Sequence, residues 1–251
     1  MPPEEAHAQH LTLRGGVRAD LPAVRDIYVL AARGPGQPVE TRSPREVRNW
    51  VEGLLARPDE LWVATLADAD DTVVGFVVLR GGWVDLLFVH PDHGGRGVGT
   101  ALLDLVKGLR PDGFGLRVHQ ANSRARDFYL RHSLVELETT DGSGYLDSAP
   151  DLQMAWLGQD PLRYLRLRID AVDDELAVLL ARRTALTAAV QDHKAATGAE
   201  AGESGRDSAR EAEIVARMAR HVPELGPDRI ARVMRAVIAE SIGAWEDRPP
   251  S

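Results

Sequence analysis

Four glycines lie within six residues of the segment HPDHGGRGVGTALL, residues 90 to 103, between an apolar run and a helix-like run. Glycine has no Cβ atom, so backbone N–H groups around Gly94, Gly95, Gly97 and Gly99 can approach a ligand closely and converge on it. The helix that follows adds the partial positive charge of its N-terminus. This arrangement predicts a phosphate-binding loop. An ordinary glycine-rich turn is the alternative, because the spacing matches neither a P-loop nor a dinucleotide-binding fingerprint.

Two cations lie on the apolar face of a long helix-like segment, residues 162 to 194. Arg183 falls on the apolar stripe itself, and Lys194 follows eleven residues later. A helix turns by about 100° and rises by 1.5 Å per residue, so the two share one face within about 20° and are about 16 Å apart. They can therefore close on a small anion. The alternative is that both side chains reach solvent or pair with carboxylates, since an unpaired buried cation costs several kcal/mol.

A third cation lies on the same segment, at Arg166. It is about 25 Å along the helix from Arg183 and about 100° around it. It cannot share one small ligand with Arg183 of the same chain, but it could reach the site of a second chain. We therefore expect an intertwined dimer.

The elements that position these residues divide the chain into two predicted domains, residues 12–158 and 161–247. The first alternates between strand and helix signals, which predicts an α/β (α+β) fold with a mixed, mostly antiparallel sheet. Residues 17–33 are predicted to begin as a short strand and to continue as a helix with Asp20 as its N-cap. Further strands are predicted at 60–68, 72–81, 83–91 and 113–120 and in a final pair before 158, and further helices at 43–58, 97–109 and 122–132.

The second predicted domain shows no strand signal. Its apolar spacing of three and four residues indicates one long helix from 161 to 198 and two shorter helices at 207–221 and 226–245. Three helices in so few residues make a thin core, which would gain much from dimerisation.

Composition limits the function classes. The net charge of −8 argues against a general nucleic-acid binder, and the absence of cysteine excludes disulfides, thiol nucleophiles and cysteine zinc sites. The first ten residues are unlike a signal peptide, and no apolar run approaches the length of a membrane span. We therefore expect a cytoplasmic protein that acts on small molecules and binds neither nucleic acid nor membrane.

The segment VHPDHGGRGVGTALL resembles motif A of the GNAT family of acetyl-CoA-dependent N-acetyltransferases, and NSRARDFYLRHSL (122–134) is similar to its motif B. The resemblance implies that acetyl-CoA is the cosubstrate, with its pyrophosphate on the loop and its pantetheine along the strand ending at Val89. It implies that Tyr129 is the acid that protonates the leaving thiolate; a packed helix tyrosine is the alternative. The cofactor-binding residues that it implies are Leu87, Phe88, Val89, Gly94, Gly95, Arg96, Gly97, Val98, Gly99, Thr100 and Asn122.

The sequence departs from this family at two motif positions. Gly94 replaces the usual Arg or Gln, so one phosphate contact is expected to be missing, and Ser133 replaces the usual Gly. The general base is open. Asp85 could act through water, and Arg117 stands where some relatives carry a Glu base.

The segment LRLRIDAVDDELAVLLARRTALTAAVQDHK resembles the first helix of the all-helical AroQ-type chorismate mutases. DSAREAEIVARM (207–218) and AVIAES (236–241) are similar to later segments of that family. The resemblance implies the pericyclic rearrangement of chorismate to prephenate, with no cofactor for that reaction. It implies a catalytic and substrate-binding set in which arginines clamp the carboxylates and Lys194 contacts the ether oxygen. That set is Arg166 of a second chain, Arg183, Lys194, Asp207, Arg210, Glu211 and Ser241.

Trp245 stands where many members of this family place Gln or Glu against the ether oxygen. Its indole N–H could donate instead, or the residue could only pack. Two further interpretations stay open from the sequence. The helical domain could act on isochorismate or aminodeoxychorismate, and the N-terminal domain could be an acetyl-CoA sensor that regulates the mutase.

Overall fold

The computed structural model describes residues 11–34, 36, 42–54, 60–67, 71–140, 150–198 and 208–248. The N-terminal part is one seven-stranded sheet with the order β1-β2-β3-β4-β5-β7-β6. All neighbouring strands are antiparallel except β4 and β5, which are parallel. The strands are β1 (Leu11–Gly15), β2 (Leu61–Leu66), β3 (Thr72–Arg80), β4 (Trp83–Val89), β5 (Phe114–His119), β6 (Val135–Thr140) and β7 (Asp151–Trp156).

In the described part of this domain, four helices cover the two faces of the sheet. Both faces need cover because the central strands carry apolar side chains on each of them. The helices α1 (Leu21–Ala31) and α2 (Pro44–Gly53) pack with Phe76 and Val78 on one face. The helix α3 (Val98–Leu109) packs on the other face with Tyr129 of α4 (Ser123–Arg131). The glycine-rich loop therefore lies between the central strand β4 and a helix that is anchored in the core.

The C-terminal part is helical throughout the residues described. It consists of α5 (Pro161–Thr197), α6 (Ser208–Ala219) and α7 (Gly226–Glu246). Contacts divide the chain into two compact units after Arg166. Within the second unit α6 packs against α7, whose buried residues include Ile230, Met234 and Ile238. No helix among the residues described is long and apolar enough to cross a membrane.

The predicted mixed sheet followed by an all-helical part is confirmed. The start of the chain differs from the prediction. The strand lies at Leu11–Gly15, and Arg18–Asp20 is a turn of 3-10 helix. Asp20 precedes α1, but its side chain does not cap that helix. Its carboxylate instead accepts hydrogen bonds from Arg14 and from the backbone N–H of Val17.

Candidate functional sites

The glycine-rich loop joins the end of β4 to the start of α3. A 3-10 turn, Pro91–His93, follows the strand, and Gly97 occupies the N-cap position of α3. Gly95 and Gly97 have φ values of 75° and 85°, which L side chains rarely adopt. A Cβ atom at either position would meet no atom within 4 Å. Backbone conformation rather than crowding therefore requires glycine here, and the surface beside both residues is open to a ligand.

The strands β4 and β5 separate next to this loop. Their register pairs only Trp83 with Gly115 and Val84 with Leu116 among the residues described. On its other edge β4 stays paired with β3 as far as Val89. The end of β4, which contains Leu87, Phe88 and Val89, therefore has backbone hydrogen-bonding groups that an extended ligand can use.

Asp85 is the extra residue of a β-bulge in β4. Val78 of β3 pairs with Leu86 and Leu79 pairs with Val84, so Asp85 has no opposite residue in the register. Burial raises the pKa of the Asp85 carboxyl, and the negative charge of Glu60 raises this pKa further. The Arg80 guanidinium, 2.7 Å away, lowers the same pKa and so partly opposes the rise. This places a partly shielded carboxylate beside the cleft between β4 and β5.

Tyr129 and Asn122 both lie at α4. Asn122 is the N-cap of this helix, and its side-chain oxygen accepts a hydrogen bond from Ala125 N–H at 3.0 Å. Tyr129 is buried in the core on the α3 side, and burial raises the pKa of its phenol. The phenol is therefore protonated at neutral pH. This agrees with the role of a proton donor and equally with that of a tyrosine that only packs in the core.

Thr100, Val98 and Arg96 border the loop on the α3 side. Val98 is buried, Thr100 Oγ1 lies 3.2 Å from His132 Nε2, and Arg96 is exposed. Burial, together with Arg96, lowers the pKa of His93. The lowered pKa favours the neutral form of His93 at pH 7, and the exposed Arg96 supplies positive charge beside the loop.

In the helical unit the structure joins two of the residues predicted from sequence. Arg183 Nη1 donates to Ser241 Oγ at 2.7 Å and to the carbonyl of Val237 at 3.3 Å. Ser241 is buried and itself donates to Val237 O at 2.6 Å. Both partners of Arg183 are neutral oxygens, and no carboxylate of the described residues forms an ion pair with it. Its positive charge is therefore available to an anionic ligand.

The remaining described residues of this predicted set lie elsewhere on α5 and on α6. Lys194 is half-buried near the end of α5, and Arg166 is exposed near its start. Arg210 is exposed and pairs with Glu213 at 2.9 Å, and Glu211 lies beside it in the first turn of α6. Asp207 lies outside the residues described.

Trp245 lies one helical turn after Ser241 on α7. Its indole N–H donates to Asp192 Oδ1 at 2.6 Å, and Arg248 lies 3.5 Å from the other oxygen of Asp192. Sequence reasoning missed Asp192, although it lies only two residues before Lys194. In this structure the indole donor is already engaged within the protein.

Two ranges of the chain match known families. Residues 21–133 match the acetyltransferase (GNAT) family, and residues 165–244 match chorismate mutase type II. Both resemblances predicted from the motifs are therefore confirmed. Among the residues described, no group of histidine and acidic side chains could hold a metal ion.

The curated relatives resemble the first of these ranges. The peptidyl-lysine N-acetyltransferase YjaB of Salmonella typhimurium is 41% identical over 71 residues, which are 28% of this chain and 47% of that protein. YjaB of Escherichia coli is 31% identical over 98 residues, 39% of this chain and 65% of that protein. The chain thus spans between about half and two thirds of the length of these relatives.

Solved structures show the same fold for the N-terminal part. The apo form of YjaB from Escherichia coli gives a TM-score of 0.50 at 24% identity and covers 59% of this chain and 98% of that one. Ard1 from Thermoplasma volcanium gives 0.50 at 22% identity, with 60% and 99% covered.

Proposed function

We propose that this chain, which contains a GNAT acetyltransferase domain followed by a type II chorismate mutase domain, catalyses two separate reactions. The N-terminal domain transfers an acetyl group from acetyl-CoA to an amine. The C-terminal domain rearranges chorismate to prephenate. The observation that best supports the second reaction is Arg183, whose guanidinium is fixed by two neutral oxygens and retains its charge for a substrate carboxylate.

For acetyl transfer, the open loop at Gly95 and Gly97 would receive the pyrophosphate, and the free edge of β4 would receive the pantetheine. The amine nitrogen attacks the thioester carbonyl, the C–S bond breaks, and the thiolate leaves. Tyr129 would donate a hydrogen bond and then a proton to the sulfur. Because burial raises the pKa of this phenol, stabilisation of the developing thiolate by the hydrogen bond would be the larger part of its effect.

Asp85 would assist the attacking amine. Its position on the bulge places a carboxylate beside the cleft, where it could accept a proton from the amine through water. The curated relatives are peptidyl-lysine N-acetyltransferases, so a lysine side chain is the acceptor class that we propose to test first.

Replacement of Tyr129 by Phe tests this proposal. The ring keeps its packing, so acetyl-CoA affinity should change little, while the rate of acetyl transfer to an unacetylated lysine peptide should fall by about 10²-fold. Leu130→Ala, an exposed neighbour on the same helix, is the control. Unchanged turnover in Tyr129→Phe would assign this tyrosine to packing alone.

For the mutase reaction, Arg183 would hold one carboxylate through its bidentate fork, and Lys194 would contact the ether oxygen and a carboxylate. Ser241 would position Arg183, and Arg210 and Glu211 would complete the site from α6. The reaction needs no covalent intermediate. Holding the compact conformer and stabilising negative charge on the breaking ether oxygen are sufficient sources of acceleration.

Arg166 would enter the site from a second copy of the chain. It lies about 25 Å along α5 from Arg183, so it cannot reach the same small ligand within one chain. In the single chain every residue from Asp170 to Arg182 is exposed, apolar ones included. Burial of the apolar stripe on one face of this segment against a second copy would bring in Arg166 and leave the opposite face exposed.

Chorismate turnover by matched variants tests the mutase proposal. Arg183→Ala and Lys194→Ala should each lower kcat/KM by about 10²-fold or more, since each removes a charge that acts on the transition state. Arg182→Ala, next to Arg183 but exposed, should keep wild-type turnover. All three should bind acetyl-CoA as the wild type does. Equal turnover in all three variants would contradict the assignment of this site.

A second substrate class is kept open by the hydrogen bond between Trp245 and Asp192. This hydrogen bond engages the indole N–H of Trp245, which stands at the position where many family members place Gln or Glu. Elimination of pyruvate from isochorismate, or rearrangement of aminodeoxychorismate, would use the same cationic clamp. Turnover of the three substrates side by side identifies the true one as that with the highest kcat/KM.

A further inference from the structure

We propose that Arg124 of α4 supplies the cationic contact to the CoA pyrophosphate that the loop itself lacks at Gly94. This inference rests on the proposed binding of acetyl-CoA by the N-terminal domain. It concerns a residue outside the glycine-rich motif, and it identifies how this chain compensates for its departure from the motif.

The first step is the space beside Gly94. A Cβ atom at this position would lie 3.2 Å from Arg124 Nη2 and 3.2 Å from the carbonyl oxygen of Pro91. The backbone of Gly94 has φ −63° and ψ 141°, which any residue can adopt. Glycine is therefore not required here by conformation. Its lack of a side chain leaves room for the end of the Arg124 side chain.

The second step is that α4 is fixed beside the loop. The Asn122 cap orders the first turn of α4, and Asn122 N–H also donates to His119 O at 2.9 Å. One turn further on, the Phe128 ring lies 3.4 Å from the position of a Cβ atom at Gly99. The helix thus packs against the start of α3, and the guanidinium of Arg124 lies at the loop as a consequence of that packing.

The third step is charge. Among the described residues, Arg124 forms no ion pair or hydrogen bond, whereas Arg126 on the same helix pairs with Glu136 at 2.9 Å. Arg124 is exposed, so its charge can meet a ligand that arrives from solvent. Together with Arg96, it gives the loop two arginines. The planar fork of arginine matches phosphate oxygens in a bidentate manner.

The test measures binding of CoA and of pantetheine, which lacks the phosphates, by calorimetry and by competition against acetyl-CoA. Arg124→Ala should raise the Kd for CoA by about tenfold, as the loss of one charge-assisted contact does, and should leave pantetheine affinity unchanged. Arg131→Ala, exposed at the other end of α4, is the control and should bind CoA as the wild type does.

A rescue variant separates a phosphate contact from a structural role. Gly94→Gln in the Arg124→Ala background returns a donor to the same space and should restore CoA affinity to within about threefold of wild type. Gly94→Gln alone should weaken binding, because the new side chain and Arg124 would occupy one space.

Three outcomes would overturn the inference. Arg124→Ala could bind CoA with wild-type affinity, it could lose CoA and pantetheine equally, or the double variant could fail to recover. A wild-type chain that binds neither CoA nor acetyl-CoA would instead overturn the proposed function itself, and the inference with it.

Discussion

At the scale of single residues, the helical domain holds the Arg183 guanidinium through neutral oxygens, which do not compensate its positive charge. Ser241 is buried and donates to Val237 O, so its oxygen is oriented to accept from Arg183. A carboxylate in place of Ser241 would satisfy the guanidinium equally well, but it would compete with any anionic substrate. A neutral partner therefore leaves the charge of Arg183 available to an anion, which a carboxylate partner would not do.

The indole of Trp245 gives a prediction at the same scale. Trp245→Phe keeps an aromatic ring but removes the donor to Asp192, so it should cost about 1 kcal/mol of stability. The kcat for chorismate should stay within about twofold, because the donor is engaged within the protein rather than free for the substrate. Steady-state kinetics and urea unfolding measure the two effects.

Trp245→Gln is the complementary variant. It places an amide where many relatives of the mutase family have one, and kcat should rise. A fall of tenfold or more in Trp245→Phe would show that the indole leaves Asp192 and contacts the substrate during turnover.

At the scale of elements, the N-terminal fold depends on how β1 is joined to α1. Arg14 makes two hydrogen bonds of 2.7 and 2.8 Å to the buried carboxylate of Asp20, which also accepts from Val17 N–H. The Arg14 guanidinium, through these hydrogen bonds, lowers the pKa of Asp20, an effect that burial partly opposes. The pair therefore connects the edge strand to the first helix across a single turn of 3-10 helix.

This pair predicts a pH dependence of stability. Asp20 has a lowered pKa in the folded state, so its stabilisation is complete above its ordinary pKa of 3.8 and is lost as pH falls through the lower folded value. Asp20→Asn should cost about 2 kcal/mol at pH 7 and clearly less at the most acidic pH at which the chain stays folded. Asp26→Asn, which is exposed, is the control. An equal loss at all pH values would contradict the assignment.

Sequence patterns could predict the elements whose formation depends on neighbouring residues along the chain. Apolar periodicity located α5, and glycine spacing located the loop before α3. Other features depend on which strands become neighbours, and no local signal encodes them. Among these are the bulge at Asp85, which needs the register between β3 and β4, and the approach of Arg124 to Gly94, which needs the packing of α4 on α3. The prediction of a strand that begins at residue 17 was wrong: β1 ends at Gly15, and Arg18–Asp20 forms a turn of 3-10 helix. A turn of three residues is too short to give a periodic pattern in the sequence.

At the scale of the whole molecule, an exposed apolar stripe argues for assembly. Ile169, Val172, Leu176 and Leu179 are 50 to 60% exposed in the single chain and lie on one face of α5. A contiguous stripe of this kind is typical of an interface. The role that we propose for Arg166 needs a second copy of the chain, so we expect mutase activity, but not acetyl transfer, to require a dimer.

Leu176→Glu tests this dependence. It should shift the chain toward monomer in sedimentation and lower chorismate turnover by about 10²-fold, with acetyl transfer unchanged. Val178→Glu, about 200° around the helix, is the control for charge on α5. A Leu176→Glu monomer with full mutase activity would show that Arg166 of a second chain is not needed.

The two proposed reactions share no site residue, which leads to a prediction about their coupling. A ligand changes a distant site only if it binds two states of the protein with different affinity. None of the residues that we assign to the acetyl-CoA site is among those that we assign to the mutase site. Saturating concentrations of an acetyl-CoA analogue that cannot donate its acetyl group should therefore leave kcat and KM for chorismate unchanged. The analogue is used so that transfer cannot deplete the ligand. A change in either constant of more than about threefold would favour an N-terminal domain that senses acetyl-CoA and regulates the mutase, since such a shift already implies a coupling of more than half a kcal/mol.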